Sequence, residues 1–153
     1  MIKINSLLVG VYLLLMALAL PLWSGYLIFC VGGLLGLGLL IADEHYFYKL
    51  YQEELSEEVR FCELISRSPL FWLSLVPLSI FVITSAGSFL VEGLVLGMMV
   101  GLVGEMWQLK NIPQLFIKRF LTGVKLEQTG FDPRPLIWGA TGYFLLINLL
   151  FLI

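Results

Sequence analysis

The sequence predicts an all-α integral membrane protein, a bundle of about five transmembrane helices with amphipathic helices at the cytoplasmic face. The first observation is composition: 59% of the 153 residues are hydrophobic and 13% are charged, whereas a soluble domain has about 25% charged residues. The second is a mean hydropathy of +0.96. The third is a series of apolar runs of about 17–25 residues, the length that crosses about 30 Å of hydrocarbon. One small core cannot hide this much apolar surface, so lipid is the expected solvent.

The predicted membrane helices are about 4–23, 25–42, 70–84, 89–106 and 136–153, in a single polytopic domain 1–153. Lys3, an apolar run and Ala17-Leu18-Ala19 are also typical of a signal peptide, but we interpret the segment as a membrane helix. Ser68 followed by Pro69 is typical of a capped helix start.

Two polar connectors lie between these helices, an acidic connector at 43–69 and a basic connector at 107–135. In the acidic connector apolar side chains recur every three or four residues between 45 and 68, the period of an amphipathic helix. In the basic connector one helical face holds Ile112, Phe116, Phe120 and Val124. Lys118, Arg119 and Lys125 lie away from the centre of that face. We expect both connectors to lie along the membrane surface or against a partner.

The basic residues predict the orientation of the chain. With five crossings, all nine Lys and Arg residues fall on the side of the N-terminus. The positive-inside rule makes that side cytoplasmic. We therefore expect a multi-pass protein of the cell (inner) membrane with its N-terminus inside and its C-terminus outside.

Glycines predict where the helices pack. The residues at four-residue spacing are Gly32 and Gly36 in the second run, and Gly93, Gly97 and Gly101 in the fourth. Small residues at this spacing let helix backbones approach closely in lipid. Glu105 is the next step on the fourth-run stripe, so we expect its carboxylate to face the bundle.

The same topology brings a polar cluster to the cytoplasmic face. Its members are Asp43, Glu44, His45, Arg67 and Glu105. Imidazole and carboxylate groups are ligands of divalent metals, and a metal here would use Glu44, His45 and Glu105. Charges at helix ends also simply mark the water boundary, and His45 opens an aromatic run typical of the headgroup level.

Several motifs together resemble a known family. They are Asp43-Glu44-His45, Arg67-Ser68-Pro69-Leu70-Phe71, Thr84-Ser85-Ala86-Gly87-Ser88, Gly93-Leu94-Val95-Leu96 and Glu105. Over roughly 32–110 the chain resembles the inner-membrane metal-dependent hydrolases, small bacterial membrane proteins. The resemblance implies a metal site built from acidic residues and histidines at the ends of membrane helices.

The chain departs from that family at the ligands themselves. Ala42 stands where an aspartate is expected, Arg67 and Gly101 where histidines are expected, and Glu105 where an aspartate is expected. Arginine cannot ligate a metal, but it can neutralise carboxylates. We interpret the cluster as a decayed metal site, and we predict an Arg67–Glu105 or Arg67–Glu44 contact.

Other classes of function find little support in the sequence. A net charge of −2 without a basic, aromatic-rich stripe does not favour nucleic-acid binding. The two cysteines, Cys30 and Cys62, fall near opposite faces and are not paired. One histidine alone is weak evidence for a haem or pigment.

We therefore expect a non-catalytic subunit or adaptor of a membrane assembly, with other membrane proteins and the lipid bilayer as partners. The alternative is a membrane-embedded metal-dependent hydrolase.

Overall fold

The computed structural model describes residues 2–19, 23–47, 65–121 and 131–153. Within these ranges the fold is all-helical, without strands. The α-helices are α1 (Ile2–Ala19), α2 (Trp23–Ala42), α3 (Pro69–Phe81), α4 (Phe89–Leu109), α5 (Pro113–Phe120) and α6 (Arg134–Leu152). Wider π turns continue α2 over Asp43–Phe47 and α3 over Val82–Ala86. A 3₁₀ turn, Ile65–Arg67, precedes α3.

Three helical segments among the described residues are long and apolar enough to cross a membrane. They are Ser24–His45, Phe89–Leu109 and Arg134–Leu152. The segments Ser6–Ala19 and Pro69–Ser85 are apolar but shorter. Large apolar side chains also cover the outside of the bundle, including Leu18, Leu70 and Leu73, which are 73–83% exposed. Exposed apolar area on this scale marks a surface that contacts lipid or protein rather than water.

The helix bounds differ from the predicted runs at several ends. The first run was predicted to reach residue 23, but α1 ends at Ala19 and Trp23 begins α2. The predicted connector 107–135 is shortened at both ends, because α4 continues to Leu109 and α6 begins at Arg134. Long polar and aromatic side chains remain compatible with a membrane helix near its ends.

The two predicted amphipathic connectors are described only in part. Residues 48–64 of the acidic connector and residues 122–130 of the basic one, among them Val124 and Lys125, lie outside the described residues. Within the basic connector, α5 buries Phe116 and Phe120, whereas Ile112 is 46% exposed. The apolar face of this short helix therefore packs on the bundle.

Helix α4 lies at the centre of the bundle and packs most closely on α2. A methyl group added to Gly97 would lie 2.6 Å from the Cα of Gly33. A methyl group on Gly36 would collide with the carbonyl oxygen of Leu94, and one on Gly93 with that of Phe29. The two helices therefore touch backbone to backbone, a packing that only glycine permits.

Polar side chains tie α6 to its neighbours inside the apolar bundle. The Tyr12 hydroxyl of α1 donates to Asn148 Oδ1 at 2.7 Å. The Trp107 indole of α4 donates to Thr141 Oγ1 at 2.9 Å. Tyr143 donates to the carbonyl of Val76 in α3 at 2.8 Å. Such hydrogen bonds between helices fix the position of the helices relative to one another.

Candidate functional site: a buried ring of charges

The candidate site lies at the end of the bundle where α2 and α4 finish and α3 begins. Ser68 caps α3 by accepting a hydrogen bond from the Phe71 N–H at 3.2 Å. This cap fixes the start of the helix directly after Arg67, which is 1% exposed. The gap between α2 and α4 widens toward this end, because a methyl group on Gly101 would meet the side chain of Leu40 rather than backbone. Glu105 lies one turn further along α4 and is fully buried.

Four charged side chains form a closed ring of alternating sign, here called the charge ring: Arg67, Glu105, Arg119 and Glu44. The Nε–H of Arg67 donates to both oxygens of Glu105, at 3.0 and 2.8 Å. Its Nη2 donates to Glu44 Oε2 at 3.2 Å. Arg119 completes the ring, with Nη2 donating to Glu44 Oε1 at 2.8 Å and Nε paired with Glu105. The ring joins α2, the turn before α3, α4 and α5.

Asp43 attaches to the charge ring through Ser66. The backbone N–H of Ser66 donates to Asp43 Oδ2 at 3.0 Å, and its hydroxyl donates to the same oxygen. Arg67 Nη1 lies 3.7 Å from that oxygen and donates to Ser66 Oγ at 3.2 Å. The turn before α3 is therefore held to the end of α2 by a buried carboxylate with several partners.

Electrostatics explain why two arginines are needed here. Glu44 follows the end of α2, and Glu105 lies in the last turns of α4. A helix C-terminus carries partial negative charge and disfavours a carboxylate. Burial adds a cost for each charge unless it is paired and hydrogen-bonded. The two guanidinium groups supply both the charge and the donors that these carboxylates require.

The structure brings together four of the five cluster residues predicted from sequence. Asp43, Glu44, Arg67 and Glu105 are in contact, and both predicted contacts of Arg67 are present. His45 is exposed and makes none of the hydrogen bonds or ion pairs that connect the described cluster residues. Among the described residues no group of three or more His, Cys, Asp or Glu side chains is placed to hold a metal ion.

Sequence reasoning missed two charged residues, the partly buried Arg119 and the buried Glu92. Arg119 was placed away from the apolar face of its helix as part of a surface segment, yet its side chain is 16% exposed and closes the charge ring. The sequence held one signal for Arg119, because the three carboxylates of the predicted cluster had only one arginine to balance their charge. Glu92, in the first turn of α4, is 6% exposed. In the sequence it is an isolated polar residue in an otherwise apolar run, so the pattern gives no sign that its side chain is buried.

A second feature adjoins the charge ring. An apolar groove of about 490 Å³ lies between α3, α5 and α6. Its lining includes Trp72, Phe116, Phe120 and Gly139. Among the residues that the structure describes, none accepts a hydrogen bond from the buried indole N–H of Trp72. This groove leaves room for an apolar side chain from outside the chain.

No protein-family model, curated protein or solved structure matches this chain. Its function is therefore inferred from the fold and the charge ring. Over the part of the chain that the structure describes, the class they define is an all-helical protein with three helical segments of membrane-spanning length and apolarity.

Proposed function

We propose that the chain is a polytopic membrane protein without catalytic activity of its own, which serves as a subunit or adaptor of a membrane assembly. The observation that carries this proposal is the charge ring. Its carboxylates are engaged by Arg67 and Arg119, the groups that hold four helical segments in place. These ion pairs act as a structural lock, because moving Arg67 away leaves the buried carboxylate of Glu105 with one cation fewer.

The proposed topology has five crossings with the N-terminus in the cytoplasm. Two observations support it. All nine basic residues fall on one side of a five-crossing chain. The charge ring and the residues Lys110 and Arg134 lie near the end of α4 and the start of α6, which is the end of the bundle that this topology puts inside.

The apolar groove is the surface that we assign to the partner protein. It adjoins the charge ring through α5, which supplies both Arg119 to the ring and Phe116 to the groove wall. An apolar helix from a second membrane protein would fill the groove and pack against Trp72 and Phe116 in its wall. The charge ring then fixes the shape of a binding surface rather than performing chemistry.

Quantitative co-purification tests this assignment. Gly139 lines the groove, and nothing lies within 4 Å of a methyl group added there, so the side chain of Gly139→Leu starts in open space and occupies part of the groove. Gly142 on the same helix has equal space but lies outside the groove, so Gly142→Leu is the matched control. We expect one membrane protein to co-purify at constant stoichiometry with the wild type and with Gly142→Leu, and to be lost from Gly139→Leu. Equal recovery with all three chains would contradict the assignment.

The alternative function is a metal-dependent hydrolase using Glu44, His45 and Glu105. It requires both glutamates to leave their arginines and the exposed His45 to turn toward them. Metal content separates the two functions.

A further inference from the structure

A second pocket, of about 290 Å³, lies between the end of α4 and the start of α6. It is lined by Trp107, Lys110, Asn111, Arg134, Ile137 and Trp138. Two cations, an amide and two indoles thus surround one small volume. None of these residues belongs to the charge ring or to the apolar groove.

The two cations of the pocket are available to a ligand. Lys110 is exposed, and its ammonium lies 5.2 Å from the centre of the Trp107 ring. Arg134 is 70% exposed, and its Nε lies 3.9 Å from Asp132, a carboxylate that already accepts the backbone N–H of Arg134 at 3.0 Å. An exposed pair at this distance contributes little. Asp132 is the only carboxylate within ion-pair distance of either cation among the described residues.

The two indoles place the pocket at the level of lipid headgroups. Trp107 and Trp138 pack edge to face, with ring centres 5.1 Å apart. Tryptophan is enriched where the hydrocarbon meets the headgroups. Both residues lie near the ends of helices that are long and apolar enough to cross a membrane.

An exposed apolar stripe runs along α6 from the pocket. It consists of Trp138, Leu145 and Leu149, which are 62–63% exposed and fall on one helical face because they are seven and four residues apart. The stripe forms a shallow track for a hydrocarbon chain.

We propose that this pocket binds the headgroup of an anionic phospholipid, whose acyl chains lie along the exposed stripe of α6. Lys110 and Arg134 pair with the phosphate, and Asn111 donates hydrogen bonds to it. Basic pockets beside membrane helices recognise anionic headgroups in this way. A free phosphate would use the cations but would leave the apolar stripe without a role, so the lipid is the occupant that uses both features.

Native mass spectrometry of the full chain in a non-ionic detergent tests the proposal. The probes are phosphatidylglycerol and phosphatidylcholine with identical acyl chains. The test variant combines Lys110→Gln with Arg134→Gln. The control is Lys118→Gln, which removes a positive charge from an exposed position on α5 outside the pocket. We expect the wild type and the control to retain phosphatidylglycerol in preference to phosphatidylcholine. The double variant should bind phosphatidylglycerol about thirtyfold more weakly, because each cation contributes about 1 kcal/mol.

Three results would overturn the proposal. The first is equal retention of the two lipids by the wild type. The second is a double variant that loses no more than Lys118→Gln. The third is displacement of phosphatidylglycerol by inorganic phosphate beyond that by chloride at equal ionic strength, which would indicate a free-phosphate site. If the double variant does not purify, the salt dependence of lipid binding by the wild type replaces it. Rising sodium chloride should remove the preference for phosphatidylglycerol over phosphatidylcholine. A preference that salt leaves unchanged overturns the proposal.

Discussion

The Nε–H of Arg67 donates to both carboxylate oxygens of Glu105, at 3.0 and 2.8 Å, in a site where these side chains are 2% and 1% exposed. The residues are 38 positions apart in the chain, and they join the turn before α3 to the last turns of α4. A buried charge pair of this kind need not stabilise a protein more than apolar side chains would. Removing one partner is nevertheless strongly destabilising. The pair therefore fixes the arrangement of the helices.

Arg67→Ala should destabilise the protein by about 3–5 kcal/mol, because it leaves Glu105 buried with one cation fewer. Adding Glu105→Gln should recover part of the loss by removing the uncompensated charge. Thermal unfolding in mild detergent measures both effects. Arg134→Ala is the control, since Arg134 is 70% exposed and its loss should change the midpoint little. Equal midpoints for Arg67→Ala and Arg134→Ala would show that the charge ring does not hold the helices.

Arg119 should behave like Arg67 rather than like a surface residue. Arg119→Ala removes a partner from both Glu44 and Glu105, so it should lower the unfolding midpoint by more than Lys118→Ala on the same helix. The same detergent assay checks this. A midpoint unchanged by Arg119→Ala would mean that Arg67 alone neutralises the cluster.

Alanine substitutions at two glycines of α2, Gly36 and Gly38, should have different effects on stability. Gly36→Ala collides with the carbonyl oxygen of Leu94, whereas Gly38 has nothing within 4 Å of an added methyl group. Gly36→Ala should lower the unfolding midpoint. Gly38→Ala should leave it unchanged or raise it, because alanine favours the helix by up to about 1 kcal/mol over glycine. Gly97→Leu should be more severe still. Equal midpoints for the two alanine variants would contradict backbone-to-backbone packing at Gly36.

Single-cysteine labelling tests the topology, after Cys30 and Cys62 have been replaced by serine. Cysteines at positions 54 and 118 should react only from the cytoplasmic side, and those at Ser24 and Ser88 only from outside. Labelling of position 54 or 118 from outside would overturn the five-crossing arrangement.

The all-helical character of the fold was predictable, because long apolar runs of this kind are typical of helices, and three of the described helical segments are long and apolar enough to cross a membrane. The direction of Glu105 also followed from sequence, since Gly93, Gly97 and Gly101 step along α4 at the same four-residue spacing. Helix ends were less predictable. The chain between Ala19 and Trp23 is apolar on both sides, so composition does not mark where one helix ends.

The second arginine of the charge ring escaped prediction for a physical reason. Arg119 lies next to Phe120 on a short helix, and a pattern of apolar residues assigns it to a surface. An arginine side chain is long enough to cross apolar surface and deliver its charge elsewhere. Charge balance was the available signal, because Asp43, Glu44 and Glu105 outnumber Arg67. The π turn that carries Asp43 and Glu44 likewise has no periodic signature in the sequence.

Metal content tests the central claim most directly, because an arginine ring and a metal centre compete for the same carboxylates. The protein is purified without chelators, equilibrated with Zn²⁺ or Mn²⁺, desalted and analysed by plasma mass spectrometry, with Arg67→His measured in parallel. We predict no stoichiometric divalent metal in the wild type, and more metal retained by Arg67→His, because histidine is a ligand and arginine is not. About one ion per wild-type chain, lost on chelation together with hydrolytic activity, would contradict the account and establish the hydrolase instead.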